Sequence, residues 1–318
     1  MSFRVVGLSN ATFDMAFQIN SFPILPNQHQ FVDRRLLTAG GMANTFFCGA
    51  RLGMNMEAIG HIGGDDLGKL WQAQVAAEGI EVSRQIIFPD QPTAISVGLV
   101  DPDGQHLFIG HRGNLKMAPD GFPDIWRQAI NEADALIIYG WTNLSMGPEA
   151  NLIAIEVAKA ADIPIFFDPG PEIPFMPAGW LDAMYAGSTV VMLTEDEAKM
   201  SLSPDLSREE MAQSILKLGP ELVILKLGAN GMLGHTATET IYQPGISVEV
   251  EDLTGAGDSV TAAVIRSYLE KHPLPKLLAL ANATGAACVQ KFGSGTNVPT
   301  LEEISAVLDK AGSPYSFG

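Results

Sequence analysis

Short runs in which nearly every position is apolar recur through the second half of the chain, at residues 135–139, 163–167, 189–193 and 222–227. A run apolar on both faces marks a strand buried in a parallel sheet, because helices cover both of its sides. The stretches between these runs read as helices. Residues 149–161 are rich in Ala, Leu, Ile and Glu, and residues 207–218 open with Ser207 and Glu210 at capping-box spacing. This alternation predicts an α/β fold, an open sheet between helical layers with its ligand site beyond the carboxyl ends of the strands.

Two regions break the rhythm. Residues 11–38 and 92–113 carry shorter β-like runs with polar neighbours. In the second, Asp101-Pro102-Asp103-Gly104 separates 93–100 from 106–110 and predicts a hairpin. Pro23 and Pro26 disfavour a central-strand role in the first. Both regions are expected to form a small β-sheet lid over the active edge of the main sheet. No long polar linker or internal repeat divides the chain, so residues 1–318 are expected to make a single domain carrying that lid.

Composition narrows the class. Of the 318 residues, 47% are hydrophobic and only 17% charged, which excludes intrinsic disorder. A chain of this length builds a core without staples, and its two cysteines, Cys48 and Cys288, lie in apolar helical contexts and read as reduced core residues. The formal net charge of -17, with no basic cluster to offset it, argues against nucleic acid as a partner. No segment approaches the roughly 18 uninterrupted apolar residues of a membrane span, and the start lacks the pattern of a signal peptide. A cytoplasmic enzyme is the expectation.

The sharpest chemical feature is Asp252-Leu253-Thr254-Gly255-Ala256-Gly257-Asp258, which leads into a helical pattern over 259–269. Small residues permit close backbone approach, and the start of the helix offers unpaired amides and a positive dipole end. That is an anion hole. Asp258 at its edge can take a proton from a hydroxyl while the amides stabilise charge on a transferring phosphoryl group. The same run also reads as a tight turn with Asp258 as an ordinary helix cap. It lacks the GxxxxGK[ST] spacing and is not a P-loop.

The run at 252–259 resembles the C-terminal signature of the ribokinase-like, or PfkB-type, carbohydrate kinases. Gly7-Leu8-Ser9-Asn10 with Asp14, Gly40-Gly41-Met42-Ala43-Asn44 with Ala50-Arg51-Leu52-Gly53, and Gly63-Gly64-Asp65-Asp66-Leu67-Gly68 resemble further motifs of that family, in its order. The resemblance covers nearly the whole chain. It implies a three-layer α/β/α sandwich with a β lid, and ATP-dependent phosphorylation of a hydroxyl, usually on a sugar and in some branches on a nucleoside. It also implies Asp258 as general base, with the amides of Gly255, Ala256 and Gly257 holding the developing charge. Here resemblance and local chemistry agree.

The remaining site residues come by the same resemblance. Asp14 and Asn44, with the backbone of Gly40 and Gly41, match residues that bind acceptor hydroxyls; a carboxylate accepting from two vicinal hydroxyls suits a polyol. Only two residues separate Gly41 from Asn44, where the family has three, which leaves the backbone contact open by one position. Asn44 also reads as a helix N-cap and Asp14 as a turn carboxylate. Glu197 matches the glutamate of an NxxE motif that organises Mg²⁺, with Thr194 in the asparagine's place, although Thr194 and Glu197 equally have capping-box spacing. Lys226, Gly228 and Gly231 match a nucleotide-lining turn, with Lys226 in place of threonine; a strand-end lysine also reads as surface solubility. Asn282, within a small-residue helix that reads as core, matches an asparagine beside the adenine. Asp252, Thr254 and Gly293 match the turns whose carbonyls bind a monovalent cation, often K⁺.

Arg112 follows the predicted hairpin and is either an acceptor or phosphate contact or a surface residue. Phe13, Phe17 and Phe31 offer an apolar wall for a nucleoside base, or pack the lid. The resemblance thus implies ATP and Mg²⁺, with K⁺ beside them, and a homodimer paired through the lid. The expected acceptor is a sugar or polyol, with a nucleoside as the alternative. A non-catalytic binding protein on the same fold is the reading from another class.

Overall fold

The computed structural model describes residues 2–27, 29–103, 105–113 and 121–317. In chain order its strands are β1 (Arg4–Leu8), β2 (Thr12–Gln18), β3 (Arg35–Gly40), β4 (Asn55–Gly63), β5 (Gln85–Phe88), β6 (Ala94–Val100), β7 (His106–His111), β8 (Ala135–Tyr139), β9 (Ile165–Asp168), β10 (Val190–Thr194), β11 (Leu222–Lys226), β12 (Gly231–Thr236) and β13 (Thr240–Pro244). They form a nine-stranded sheet in the order β13-β12-β11-β10-β9-β8-β1-β4-β5 and a four-stranded sheet in the order β3-β2-β6-β7. From β11 to β5 the large sheet is parallel throughout; β12 and β13 run antiparallel at its edge.

The apolar runs make the parallel strands because both of their faces are covered. Ile137, Met192 and Ile224 belong to one buried cluster, while Leu136, Val191 and Val223 belong to another on the opposite face. The first cluster is closed by the helices Ala43–Arg51, Ala256–Leu269 and Leu274–Cys288, the second by Pro148–Ala160 and Arg208–Leu216. The expected three-layer sandwich is therefore present. Ser207 and Glu210 do form a capping box at the start of Arg208–Leu216. Two strands start one or two residues later than the apolar runs, at Ile165 and Val190, and each ends in a polar residue, Asp168 and Thr194. The β12–β13 hairpin has no counterpart in the sequence reading, because Gly231, Gly234 and alternating exposure along β13 break any continuous apolar run.

The small sheet comprises the two regions that broke the rhythm. β2 pairs antiparallel with β3 and parallel with β6, and β6 and β7 form the expected hairpin. Its turn is fixed by Asp101, whose Oδ1 accepts from the amides of Asp103 and Gln105 at 3.0 and 2.9 Å; Gly104, the last residue of the predicted turn, lies outside the described residues. Strand alternation splits this sheet into two faces. Asp14, Ala16, Ser96, Gly98, Phe108 and Gly110 share one face, and Met15, Phe17, Leu37, Val97, Leu107 and Ile109 share the other.

Strand order reverses between β1 and β8, since the chain leaves β1 toward β4 on one side and continues from β8 toward β11 on the other. A crevice opens at the carboxyl ends of strands that flank such a reversal. Tyr139 ends β8 there. Among the described residues no helix is long and apolar enough to cross a membrane.

Candidate active site

Gly255 caps the helix Ala256–Leu269 from the left-handed region, at φ +81°, and no side chain caps that end. The glycine is needed there because an L side chain is strained in that conformation. Asp258 is thus the third residue of the helix, not its N-cap, and its carboxyl group is left for other work. Asn44 Nδ2 donates to its Oδ2 at 2.9 Å and the Tyr139 hydroxyl donates to its Oδ1 at 2.9 Å. The cap reading of Asn44 is corrected in the same way: Met42 is the N-cap of Ala43–Arg51, and Asn44, buried, bridges Asp258 to the Gly295 amide, which donates to Asn44 Oδ1 at 2.7 Å.

Asp14 lies on the inward face of the small sheet, against the Gly40-Gly41 pair. A Cβ on Gly40 would fall inside the Asp14 carboxyl group, and the Gly41 amide donates to that carboxyl. Both glycines therefore lie against the Asp14 carboxyl group. Ser294 Oγ donates to Asp14 Oδ2 at 3.4 Å. Burial and the neighbouring Asp258 charge push the Asp14 carboxyl up to about 7. Burial raises Asp258 as well, against the pull of its bonds from Asn44 and Tyr139. Two carboxylates facing one cleft, each already held by donors, form a site suited to hydroxyl groups.

Lys226 is not a surface lysine. Its side chain is 12% exposed, and its ammonium donates to Asp168 Oδ2 at 2.5 Å and stands 3.4 Å from where a Cβ on Gly257 would be. A Cβ at position 257 would touch this amine in ordinary van der Waals contact. Burial lowers the lysine's pKa, but Asp168 and Glu197 outweigh it and leave the pKa above its ordinary value, so the charge is retained. Glu197 does form the capping box with Thr194, accepting from the Thr194 amide at 2.7 Å. Its carboxyl group is buried and raised in pKa by that burial and by the Asp168 charge. Capping and proximity to the Lys226–Asp168 pair thus coexist.

Asp252 ties two turns together. Its Oδ1 accepts from the Thr254 amide at 2.9 Å and hydroxyl at 2.7 Å, and its Oδ2 accepts from the Gly293 amide at 2.8 Å. Its carboxylate thus clamps the turn at 252–254 to the turn at Gly293. Gly228 takes φ +57° in the turn after β11 and Gly231 φ +95° at the start of β12. Asn282 Nδ2 donates to the Pro244 carbonyl at 2.7 Å, pinning the loop after β13 to the helix Leu274–Cys288. Arg112 pairs with Glu172 at 3.2 Å. Cys48 and Cys288 are both buried and unpaired.

The three phenylalanines do not gather beside Asp14. Phe13 and Phe17 alternate away from Asp14, with Phe13 fully buried in the core, and Phe31 is 85% exposed. Phe108 shares the face of Asp14 and lies over Gly98, and Trp141 stands against Gly170 beyond the end of β8. Sequence reasoning also missed Thr45, Tyr139, Asp168 and Ser294. A usable signal existed for two of them: Tyr139 and Asp168 are polar groups ending otherwise apolar strands, at the end of the sheet where ligands bind.

An open parallel α/β sheet, a small β-sheet lid, and an acidic group beside a glycine-led helix start define a class, the lidded α/β phosphotransferases. The chain matches the model of the pfkB family carbohydrate kinases over residues 5–301, and it belongs to that family. It is similar to an ATP-dependent ribose-1-phosphate kinase of Halopiger xanaduensis, 26% identical over 308 residues that cover 96% of this chain and 98% of the relative. It is 25% identical over 304 residues to a nucleoside kinase of Methanothermobacter thermautotrophicus, covering 94% of this chain and 93% of that one. Its fold is similar to that of Arabidopsis thaliana ribokinase complexed with ribose and ATP, with a TM-score of 0.83, 24% identity, and coverage of 97% and 99% of the two chains.

Proposed function

We propose that this kinase transfers the γ-phosphoryl group of ATP to a hydroxyl of a neutral sugar or polyol, with Asp258 as general base. The observation that carries the reading is the place of Asp258: third residue of a glycine-led helix, held by Asn44 and facing Asp14. The acceptor would lie under the small sheet, its hydroxyls on Asp14, Asn44 and the Gly40-Gly41 backbone. Asp258 would take the proton of the attacking hydroxyl, and the Gly255, Ala256 and Gly257 amides would hold the charge that develops on the transferring group. Lys226, fixed by Asp168 beside Gly257, would contact the phosphates. Gly228, Gly231 and Asn282 would line the nucleotide, Asn282 chiefly by fixing the Pro244 loop.

The carboxyl groups favour a neutral acceptor. Asp14 and Asp258 would face it, and a phosphorylated or carboxylated acceptor would meet both, which disfavours it. Arg112 is bound to Glu172. Arg112 accordingly acts as a tie between the small sheet and the turn after β9. A nucleoside is the second reading, favoured by Phe108 on the Asp14 face and by the half-exposed Trp141.

The residues fit both metal ions. Glu197, buried beside the Lys226–Asp168 pair, would hold Mg²⁺ through waters, the ion leaning on the phosphates. Bound there, Mg²⁺ would neutralise phosphate charge. K⁺ would sit on main-chain carbonyls of Asp252, Thr254 and Gly293, with the Asp252 clamp keeping the two turns in place. The exposed Leu37, Leu107 and Ile109 on the outer face of the small sheet, with β7 at its edge, support a homodimer through this lid. Two buried free thiols suit a reducing, cytoplasmic setting.

The test is acceptor-dependent ADP release with Mg²⁺ and K⁺ present, across neutral sugars and polyols, their phosphorylated and acid counterparts, and nucleosides. Asp258→Asn should lower kcat by about 10²- to 10⁴-fold while retaining ATP binding. A variant with near wild-type kcat would remove Asp258 as base, and ATP binding without turnover of any acceptor would favour a non-catalytic binding protein.

A further inference from the structure

Behind the candidate base stands a pair of hydroxyl groups that phosphoryl transfer has not so far used. Tyr139, 5% exposed at the end of β8, donates to Asp258 Oδ1 at 2.9 Å. Thr45, fully buried on the helix Ala43–Arg51, lies 2.5 Å from the Tyr139 oxygen and also donates to the Asp258 main-chain carbonyl at 3.2 Å. Three contacts thus share two hydroxyl protons, so the network has more than one proton arrangement. We propose that Tyr139, with Thr45 behind it, is a positioning residue that holds Asp258 in both of its protonation states. The proposal rests on the reading of Asp258 as base.

The two arrangements follow from donor counting. While Asp258 is a carboxylate, the Tyr139 proton points to Oδ1, and the Thr45 proton goes to the Tyr139 oxygen or to the Asp258 carbonyl. Once Asp258 carries the acceptor's proton, its O–H can donate to the Tyr139 oxygen. Tyr139 then turns its own proton to Thr45, and Thr45 donates to the main-chain carbonyl. Each hydroxyl keeps its proton, no bond breaks, and no heavy atom has to move. Asn44, on the other oxygen, presents an amide nitrogen that can only donate, so its bond persists to the carbonyl oxygen of the acid but cannot receive the acid's proton. Of the two groups that hold the Asp258 carboxyl among the described residues, Tyr139 is the one that can accept from the acid form. Burial and the Asp258 charge keep the phenol protonated, well above its ordinary pKa.

Tyr139→Phe removes the donor to the carboxylate and the acceptor for the acid. We expect kcat to fall about 10- to 100-fold, the value of one hydrogen bond to a charged group, with KM for ATP within about twofold of wild type. The acid limb of the kcat–pH profile should move to higher pH, because the carboxylate has lost a donor. The other ionisable groups near Asp258, namely Asp14 on β2, Asp168 on β9, Lys226 on β11 and the thiols of Cys48 and Cys288, are untouched by the change. A merely structural tyrosine would lower the melting temperature and leave that limb in place.

Thr45→Val separates the two states and covers the case in which Tyr139→Phe does not fold. It keeps the Tyr139 bond to the carboxylate but removes the partner to which Tyr139 turns, so kcat should fall with the acid limb unmoved, and Thr45→Ser should restore it. The proposal is overturned if Thr45→Val matches wild type, or if Tyr139→Phe keeps kcat within about threefold and its acid limb, while Asp258→Asn is inactive. Turnover by Asp258→Asn itself would instead overturn the base reading on which the proposal stands.

Discussion

Asp14 is held in the cleft at the expense of stability, and replacing it tests both its charge and its role. Its carboxyl is pushed up from 3.8 to about 7, by burial first and by the Asp258 charge second. The native state therefore holds this proton more tightly than the unfolded chain. The group's contribution to stability is complete below about pH 4 and declines as pH rises to about 7, above which the native protein bears the whole burden of a buried charge. At 1.36 kcal/mol per unit, the difference corresponds to a ceiling of about 4 kcal/mol. The Asp14 side chain keeps some access to water, and discounting for that screening leaves about 2 kcal/mol.

Asp14→Asn removes the charge and keeps the shape. Its amide oxygen can accept from Gly41 and its NH₂ can donate to the Ser294 oxygen, so no buried group loses its partner. The variant should be about 2 kcal/mol more stable than wild type to urea at pH 8, and by less than half of that at pH 5. Acceptor turnover should suffer: two hydroxyl-to-carboxylate bonds become weaker ones, and kcat/KM for the acceptor should fall by about 100-fold or more. Urea denaturation at the two pH values, with acceptor kinetics alongside, provides the assay. Equal destabilisation at both pH values would mean that the carboxylate is a structural acceptor and that the argument from buried charge is wrong.

The remaining predictions concern the nucleotide side and the lid. Lys226→Met leaves the Asp168 carboxylate buried without its cation and should destabilise by about 3 kcal/mol, most of it recovered in Asp168→Asn/Lys226→Met, while both variants show a raised KM for ATP; a double variant no more stable than the single would deny the pairing. Replacing K⁺ by a large organic cation should lower kcat without affecting folding, and an unchanged rate would remove the proposed carbonyl site. If the outer face of the small sheet pairs two chains, Leu107→Asp with Ile109→Asp should convert a dimer into a monomer in sedimentation velocity, and a wild-type chain that is itself monomeric at micromolar concentration refutes the interface.

What could be read from the sequence follows from how locally each feature is determined. The parallel strands β8 to β11 were legible because burial on both faces demands an uninterrupted apolar run, and the small sheet because its runs do not satisfy that demand, whereas β4 and β5 were not read. The Gly255–Asp258 turn was legible because the left-handed conformation and the close backbone approach each require small residues at fixed positions. By contrast, Tyr139 and Thr45 lie 94 residues apart and meet only through the packing of β8 against the helix Ala43–Arg51. No spacing rule brings them together.

Lys226 shows where residue type alone misleads. A lysine at a strand end is most often solvated, and the sequence holds nothing near it to say otherwise, since Asp168 is 58 residues away. Once β9, β10 and β11 are laid side by side in parallel register, however, the ends of β9 and β11 both carry polar residues on the ligand side of the sheet. A buried ammonium there is tolerable only if a carboxylate compensates it. Asp168 and Lys226 are therefore one feature, and a sequence reading that treats the polar residues at strand ends as candidate partners of one another, strand by strand across the sheet, would have found Lys226 with Asp168; Tyr139 with Asp258 would have escaped it, because Asp258 lies on a helix.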